Sequence, residues 1–361
     1  MSAGKLLSER EERILDAVIR TYVETAEPAG SRTVARRFGL GVSAATVRNA
    51  MADLEEKGFL FHPHTSAGRI PTDLAYRYFV NTIMQPVRVA PAEQRMLRRE
   101  LAEDSASALD RLIQRAVQVL GFVTGELGVA IAPKLSDVLL EKVELVSLSS
   151  EKALLVITLK NGLVRTVYVD LPTSVPPEAL VSVTMILNER LAGQTLATIR
   201  QTLPDRVRDA SGDADSIELL NIFVQSAGNL LHNESAPGGD VHLGRTSVIA
   251  NQPEFSDEGK LKRLIELTEE RELLARVLAG RAHAASPTIT IGVENELPQL
   301  APFTLVTSEY RLGNLAGVIG VIGPTRMSYE KVAAIVEYTS RLIGQLMPPQ
   351  ATRGSRSETD A

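Results

Sequence analysis

The chain of 361 residues is 44% hydrophobic and 23% charged, with a formal net charge of −5, the balance of a globular protein of two or three domains. Cysteine is absent, which excludes disulfides, thiol nucleophiles and thiolate metal sites. No run approaches the ~20 apolar residues of a membrane span and the opening MSAGKLLSEREERI lacks an apolar signal core, so a cytoplasmic protein without membrane contact is expected.

The charge sum conceals a local pattern. Residues 1–84 hold 11 Lys+Arg against 10 Asp+Glu, leaving 28 against 34 for the remainder. From Gly30 to Ala52 there are Arg32, Arg36, Arg37 and Arg48 and no acid. The first helix is signalled by Ser8 and Glu11, a capping box, followed by Ile14, Leu15, Val18, Ile19 and Tyr22 at helical spacing. Ser31 is placed to cap a short second helix ending at Phe38, with Val34, Ala35 and Phe38 inward and Gly39 and Gly41 supplying a sharp turn. Ser43 caps the third, which puts Val47, Ala50, Met51 and Leu54 on one face and Ala45, Arg48, Asn49 and Ala52 on the other before Gly58 closes it.

That third helix crowds Asp53, Glu55 and Glu56 at its back and keeps its front free of acid, although the helix dipole favours the opposite order. A helix-turn-helix accounts for it: the front half of its second helix enters the major groove, where a carboxylate would meet phosphates. Arg48 has the geometry to donate two hydrogen bonds to guanine and Asn49 to adenine, while Ala45 or Ala52 can touch a thymine methyl. Ser43 and Thr46 suit phosphate, and Ser31, Arg32, Arg36 and Arg37 add donors and basic charge beside them.

Next, FLFHPHTSAGRIP alternates Phe59 and Phe61, breaks over residues 62–68, and resumes at Arg69-Ile70 before Pro71 ends the strand. A two-stranded wing results, with His64, Thr65 and Ser66 as loop donors and Arg69 in reach of a phosphate or the minor groove. His62 and His64 lack acids or thiols beside them in sequence, so no metal is expected. Thr72 and Asp73 open a helix from Leu74 to Met84 whose Tyr76, Tyr78 and Phe79 close the domain.

Pro86 and Pro91 mark a linker, and Ala92 to Glu126 reads as helical. Strands follow at Val143 to Leu148, Ala153 to Leu159 and Leu163 to Val169, with Asn161-Gly162 as a hairpin turn. Helices at Pro176 to Leu191, Thr195 to Leu203 and Ile217 to Leu231 come next, broken at Pro204, Gly212 and residues 237–239. Further strands at Thr288 to Val293, Phe303 to Ser308 and Leu315 to Ile322 precede a last helix from Tyr329 to Leu346. Strands so far apart suggest one antiparallel sheet interrupted by a helical insertion, an α+β chain.

Several runs carry a family resemblance. SAATVRNAMADLEEKGFL through HTSAGRIPTDLAYRYFV resembles the N-terminal region of HrcA, the bacterial heat-inducible transcription repressor family. HLGRTSVIANQPEF is similar to the middle of that family and FTLVTSEYRLGNLAGVIGVIGPTRMSYEKVAAIVEY to its C-terminal region; Arg245 stands where glycine is expected. The resemblance implies a winged helix-turn-helix over 1–85, a GAF-like domain in two parts over 92–171 and 241–347, an inserted dimerising domain over 172–240, and a disordered tail over 348–361. It further implies a homodimer on the CIRCE inverted repeat of double-stranded DNA upstream of chaperone operons, kept active by the GroEL chaperonin and lost on heat stress. A dimer also follows from symmetry, since one recognition helix reads only a few base pairs.

Catalytic machinery is missing. No GxxxxGK[ST], HExxH or GxSxG occurs, and Gly317, Gly320 and Gly323 sit inside a strand, where close packing is their natural role. Asp213 and Asp215 lack the glycine and distal glutamate of a calcium loop. Asn295 with Glu294 and Glu296, and Arg311 near Tyr310, read as strand-end polar residues before they read as a pocket. No enzyme, cofactor or metal is expected. Two alternatives stay open: a regulator sensing a metabolite through the GAF-like domain, which ligand-induced thermal shifts would reveal, and an enzyme with an accessory DNA-binding domain, which turnover would reveal.

Overall fold

The computed structural model describes residues 6–39, 41–64, 67–102, 109–133, 136, 138–160, 164–171, 175–209, 213–230, 241–282, 287–312 and 315–346. The expected Asn161-Gly162 turn, the 348–361 tail, and Thr65 and Ser66 lie outside these residues.

Helix α1 (Glu9–Thr25) opens with the reciprocal cap its sequence signals. The Glu11 amide donates to Ser8 Oγ at 3.3 Å and the Ser8 amide to the Glu11 carboxylate at 2.8 Å. Helix α2 (Ser31–Arg37) corrects an expectation: Gly30 is its extended cap residue, with no side-chain cap, and Ser31 is already helical. Gly39 and Gly41 turn the chain at φ of +52° and +69°, a region glycine enters without Cβ strain. In α3 (Ala44–Glu56) the Thr46 amide donates to Ser43 Oγ at 3.1 Å, and Val47, Ala50, Met51 and Leu54 are buried. Strands β1 (Leu60–Phe61) and β2 (Ile70–Pro71) pair antiparallel, and Pro71, opposite Leu60, is the last residue of its strand, as expected. A two-stranded ribbon tolerates a proline there, because an edge position needs no amide donor. Helix α4 (Asp73–Tyr78), capped by Thr72, continues as a wider π turn over Phe79–Ile83.

The helical stretch beyond the linker divides into α5 (Pro91–Ala102) and α6 (Leu109–Thr124). A buried strand β3 (Leu127–Ile131) follows, then a meander of β4 (Leu140–Ser149), β5 (Lys152–Leu159) and β6 (Val164–Asp170). Helices α7 (Pro177–Leu191), α8 (Leu196–Val207) and α9 (Ala214–Leu230) come next; α8 runs through Pro204, where a break was expected. The chain returns with β7 (Val241–Leu243), α10 (Thr246–Ala250), α11 (Glu258–Glu269), α12 (Arg271–Ala279), β8 (Thr288–Ile291), β9 (Phe303–Leu312), β10 (Leu315–Pro324) and α13 (Tyr329–Leu346). Arg245 has φ −81° and ψ 118° and caps α10, so no glycine turn is required there.

The single interrupted sheet is instead two sheets. Strands β7-β3-β10-β9-β8 form one, antiparallel throughout, and β4-β5-β6 form another. Leu155, Ile157 and Leu159 of the meander share a core with Leu187, Ile199, Leu203 and Phe223 of the three helices that follow it. From about residue 138 the meander therefore packs with those three helices and not in the five-stranded sheet: alternation at period 2 identifies a strand but not the sheet it joins.

The five-stranded sheet is covered on both faces. Ala130, Val306, Ile319 and Val321 face the core that contains α6 and α13, while Val129, Leu305, Val318 and Ile322 face the one containing α11 and α12. Its glycines serve close approach, as expected. A Cβ at Gly320 would overlap the Val306 carbonyl, and one at Gly317 the Tyr310 ring. The first of these cores is continuous from Leu7 and Leu54 in the N-terminal unit to Ile343 in α13.

Candidate nucleic-acid interface

The fold leaves the front of α3 open. Ala45, Arg48 and Asn49 are exposed and Ala52 is half-buried, along one stripe at i, i+3, i+4 and i+7. Burial of Val47, Ala50, Met51 and Leu54 behind them turns that stripe outward. Ser43 Oγ and Thr46 Oγ1 lie 3.0 Å apart at the helix start, beside the amide groups that make a helix N-terminus attractive to anions.

Arg32 and Arg36 of α2 are exposed and, like Arg48, form no ion pair with a described residue. Arg37 differs: it pairs with Glu24 of α1 and lies over the Phe38 ring at 5.8 Å. Ser31 is half-buried and His64 exposed. Arg69, expected to reach toward a phosphate, pairs with Glu55 at 2.7 Å with only 15% of its side chain exposed, and its backbone bridges Ala29. A Cβ at the adjacent Gly68 would overlap the Ala29 backbone, so the base of the ribbon is tied to the start of α2.

The acids at the back of α3 thus have positions as well as an absence to explain. Glu55 braces the ribbon through Arg69 and approaches His62 Nδ1 at 3.7 Å, a carboxylate that sequence neighbours do not reveal. Lys57 donates to Glu11 at 2.6 Å. That bond, with those from Ser8, holds the Glu11 carboxyl down at about 2. Among the described residues no group of three His, Asp or Glu is placed to hold a metal. Asp213 accepts from the Ser216 amide at 2.9 Å as a cap of α9.

The polar residues at the strand ends prove structural. Asn295 is buried and donates to the carbonyls of Gly292, Leu300 and Phe303. Arg311 pairs with Glu309, and Tyr310 donates to the Ile131 carbonyl at 3.1 Å. Glu294 binds Arg77 of α4. This last contact belongs to a set that sequence reading does not find, since its partners stand about 200–300 positions apart (|i−j| 217 for Arg77 and Glu294, 310 for Arg20 and Glu330) and no motif links them.

Three helices with a short ribbon, joined to a two-faced antiparallel sheet and an independent sheet-and-helix unit, define a multidomain α+β class. A family model described as the HrcA protein C terminal domain matches residues 110–333. The heat-inducible transcription repressor HrcA of Chlorobium phaeovibrioides is 37% identical over 344 residues, covering 92% of this chain and 95% of that protein. The protein of the same name from Chlorobium phaeobacteroides is 39% identical over 342 residues, covering 92% and 96%. A crystal structure described as that of a hypothetical protein at 2.2 Å resolution shares the fold, with a TM-score of 0.69 at 20% identity over 94% of this chain and 98% of that one. The chain belongs to the HrcA family.

Proposed function

We propose that the protein is a transcriptional repressor that reads duplex DNA with the front of α3, as a dimer on an inverted repeat. The observation that carries this reading is the acid-free, outward stripe of Ala45, Arg48, Asn49 and Ala52 beside Arg32 and Arg36, which form no ion pair with a described residue. The names of the relatives, heat-inducible transcription repressors, support it independently. The first three helices and the ribbon are a winged helix-turn-helix, with Arg69 as brace of the wing and His64 in its loop; Thr65 and Ser66, outside the described residues, are proposed DNA contacts from the sequence alone. The five-stranded sheet and its helices are the GAF-like domain. The unit from about residue 138 to 230 is the inserted dimerising domain. Its outward apolar side chains Val181 and Met185, one turn apart on α7, are 60% and 68% exposed, a stripe suited to a partner copy.

The operator is the CIRCE inverted repeat, the compartment the cytoplasm, and GroEL the chaperonin that keeps the repressor active until heat diverts it. Titration on an inverted-repeat duplex and a scrambled control at two salt concentrations, with and without chaperonin, tests the scheme. Arg48→Ala weakens specific binding by about 1–3 kcal/mol and relaxes base preference, whereas Arg36→Ala lowers the salt slope by about 1. Equal loss on both duplexes for Arg48→Ala removes the base-reading role.

One observation favours a second reading, a regulator sensing an anionic metabolite. Arg281, at the end of α12, has hydroxyls as its bonded partners, Thr290 and Thr307, and burial holds it down at about 10. A half-buried guanidinium with no carboxylate partner among the described residues is costly, and an anion would relieve it. Carboxylates and phosphates that leave the melting temperature unchanged eliminate this reading.

A further inference from the structure

The N-terminal unit is joined to the five-stranded sheet by more than the linker at 85–90. Asp73 of α4 accepts from the Val293 amide at 3.2 Å. Gly292, at φ +54°, makes room for that carboxylate, which a Cβ there would overlap. One turn on, Arg77 grips both oxygens of Glu294, its Nε at 2.6 Å, and also donates to the Ile289 carbonyl at 2.7 Å. Arg20 of α1 grips both oxygens of Glu330 at the start of α13, at 2.9 and 3.2 Å. Arg326 grips both oxygens of Glu254 and donates to the Val23 carbonyl of α1 at 2.6 Å. Between these contacts the buried rings of Tyr76 and Tyr329 pack 5.5 Å apart.

Each two-point grip fixes direction as well as distance. Two of them, Arg20 on Glu330 and Arg77 on Glu294, cross between the units, and the third, within the body, aims Arg326 at the Val23 carbonyl; around a buried aromatic pair these contacts oppose both the swing and the rotation that a six-residue linker would allow. The geometry points to Arg20, Arg77 and Arg326 as the residues that set operator spacing: by holding α3 in one orientation, they make the dimer present its two reading helices at one separation and one helical phase. This rests on the dimeric reading proposed above. Heads on flexible tethers would engage half-sites at many separations, whereas fixed heads lose simultaneous engagement when the geometry is wrong.

The test uses the full chain on duplexes whose two half-sites are separated by the natural spacer, or by a spacer changed by about five base pairs (half a helical turn) or about ten (one turn). Wild-type protein is expected to lose on the order of 100-fold in affinity on the half-turn spacer. Arg77→Glu, which places a carboxylate against Glu294, is expected to cut that loss to below about 10-fold while binding a single half-site duplex as well as wild type. Adding Glu294→Arg restores the sharp profile, which a merely destabilising change would not do. Arg20→Glu with its partner change Glu330→Arg provides the same reading should Arg77→Glu fail to fold. A sharp wild-type profile that both single variants retain overturns the assignment and leaves the dimer standing. A wild-type profile flat across spacers, with half-site and full-site duplexes bound alike, overturns the dimer and this assignment together.

Discussion

The N-terminal unit and the unit at 138–230 invert what their places in the chain suggest. Residues 1–85 run without interruption and carry their own helices and ribbon, yet their apolar side chains belong to a core that extends through α5, α6 and the sheet to α13. The second unit interrupts another domain, yet it has a core of its own, built from the meander and α7 to α9, in which Leu315 of β10 is the described residue contributed from outside. Contiguity in sequence is no measure of physical independence. What counts is where apolar surface is buried, and the proposed reading head buries part of its surface on the body while the insertion buries its own internally.

The largest expected effect exploits the shared core. Tyr76→Ala removes a fully buried ring packed at a tilt against Tyr329 and costs about 3–5 kcal/mol. Hydrogen exchange then rises in α1 to α4 and in α13 together; a rise confined to the first 85 residues would dissolve the claim of one core. Next in size is Leu187→Ala, at the centre of the separate core, for about 2–5 kcal/mol. Faster exchange is expected within 138–230 alone, and its spread into the five-stranded sheet would mean the insertion is not autonomous.

A smaller effect separates the two units by pH. Burial raises the Glu126 carboxyl, at the start of β3, to about 8, opposed by the hydrogen bond from Gln252. The folded protein keeps this proton up to that pH, whereas the unfolded chain releases it near the ordinary 4.5. The folded state therefore binds more protons between the two values, and stability falls as pH rises through that window. Glu126→Gln is expected to flatten the decline, worth roughly 2–4 kcal/mol from pH 5 to 8. Melting of the head and sheet carries the dependence and melting of the insertion does not; an unchanged slope in the variant places the titration elsewhere.

Much of the local structure was legible because its causes are local. Ser8 with Glu11, Ser43 with Thr46, and the glycines at 39, 41 and 58 mark helix starts and turns through bonds and dihedrals only a few residues apart. The outward stripe on α3 follows from helical periodicity alone. Ser31 misled for the same reason: a good capping residue stands beside a glycine that takes the extended dihedrals the cap requires. Arg69 misled for a different one, since its Glu55 partner is set by the fold of the ribbon against α3.

From the letters alone came the spacing of apolar and small residues, the caps, and the removal of acids from one helix front. These depend on neighbours within one or two turns, so the order of residues suffices to specify them. Tertiary structure decided which sheet the meander joins, that the head and body share a core, and that Arg20, Arg77 and Arg326 find carboxylates far along the chain. Strand pairing and ion pairing are indifferent to sequence distance, and only the packed chain selects among the many partners that composition permits.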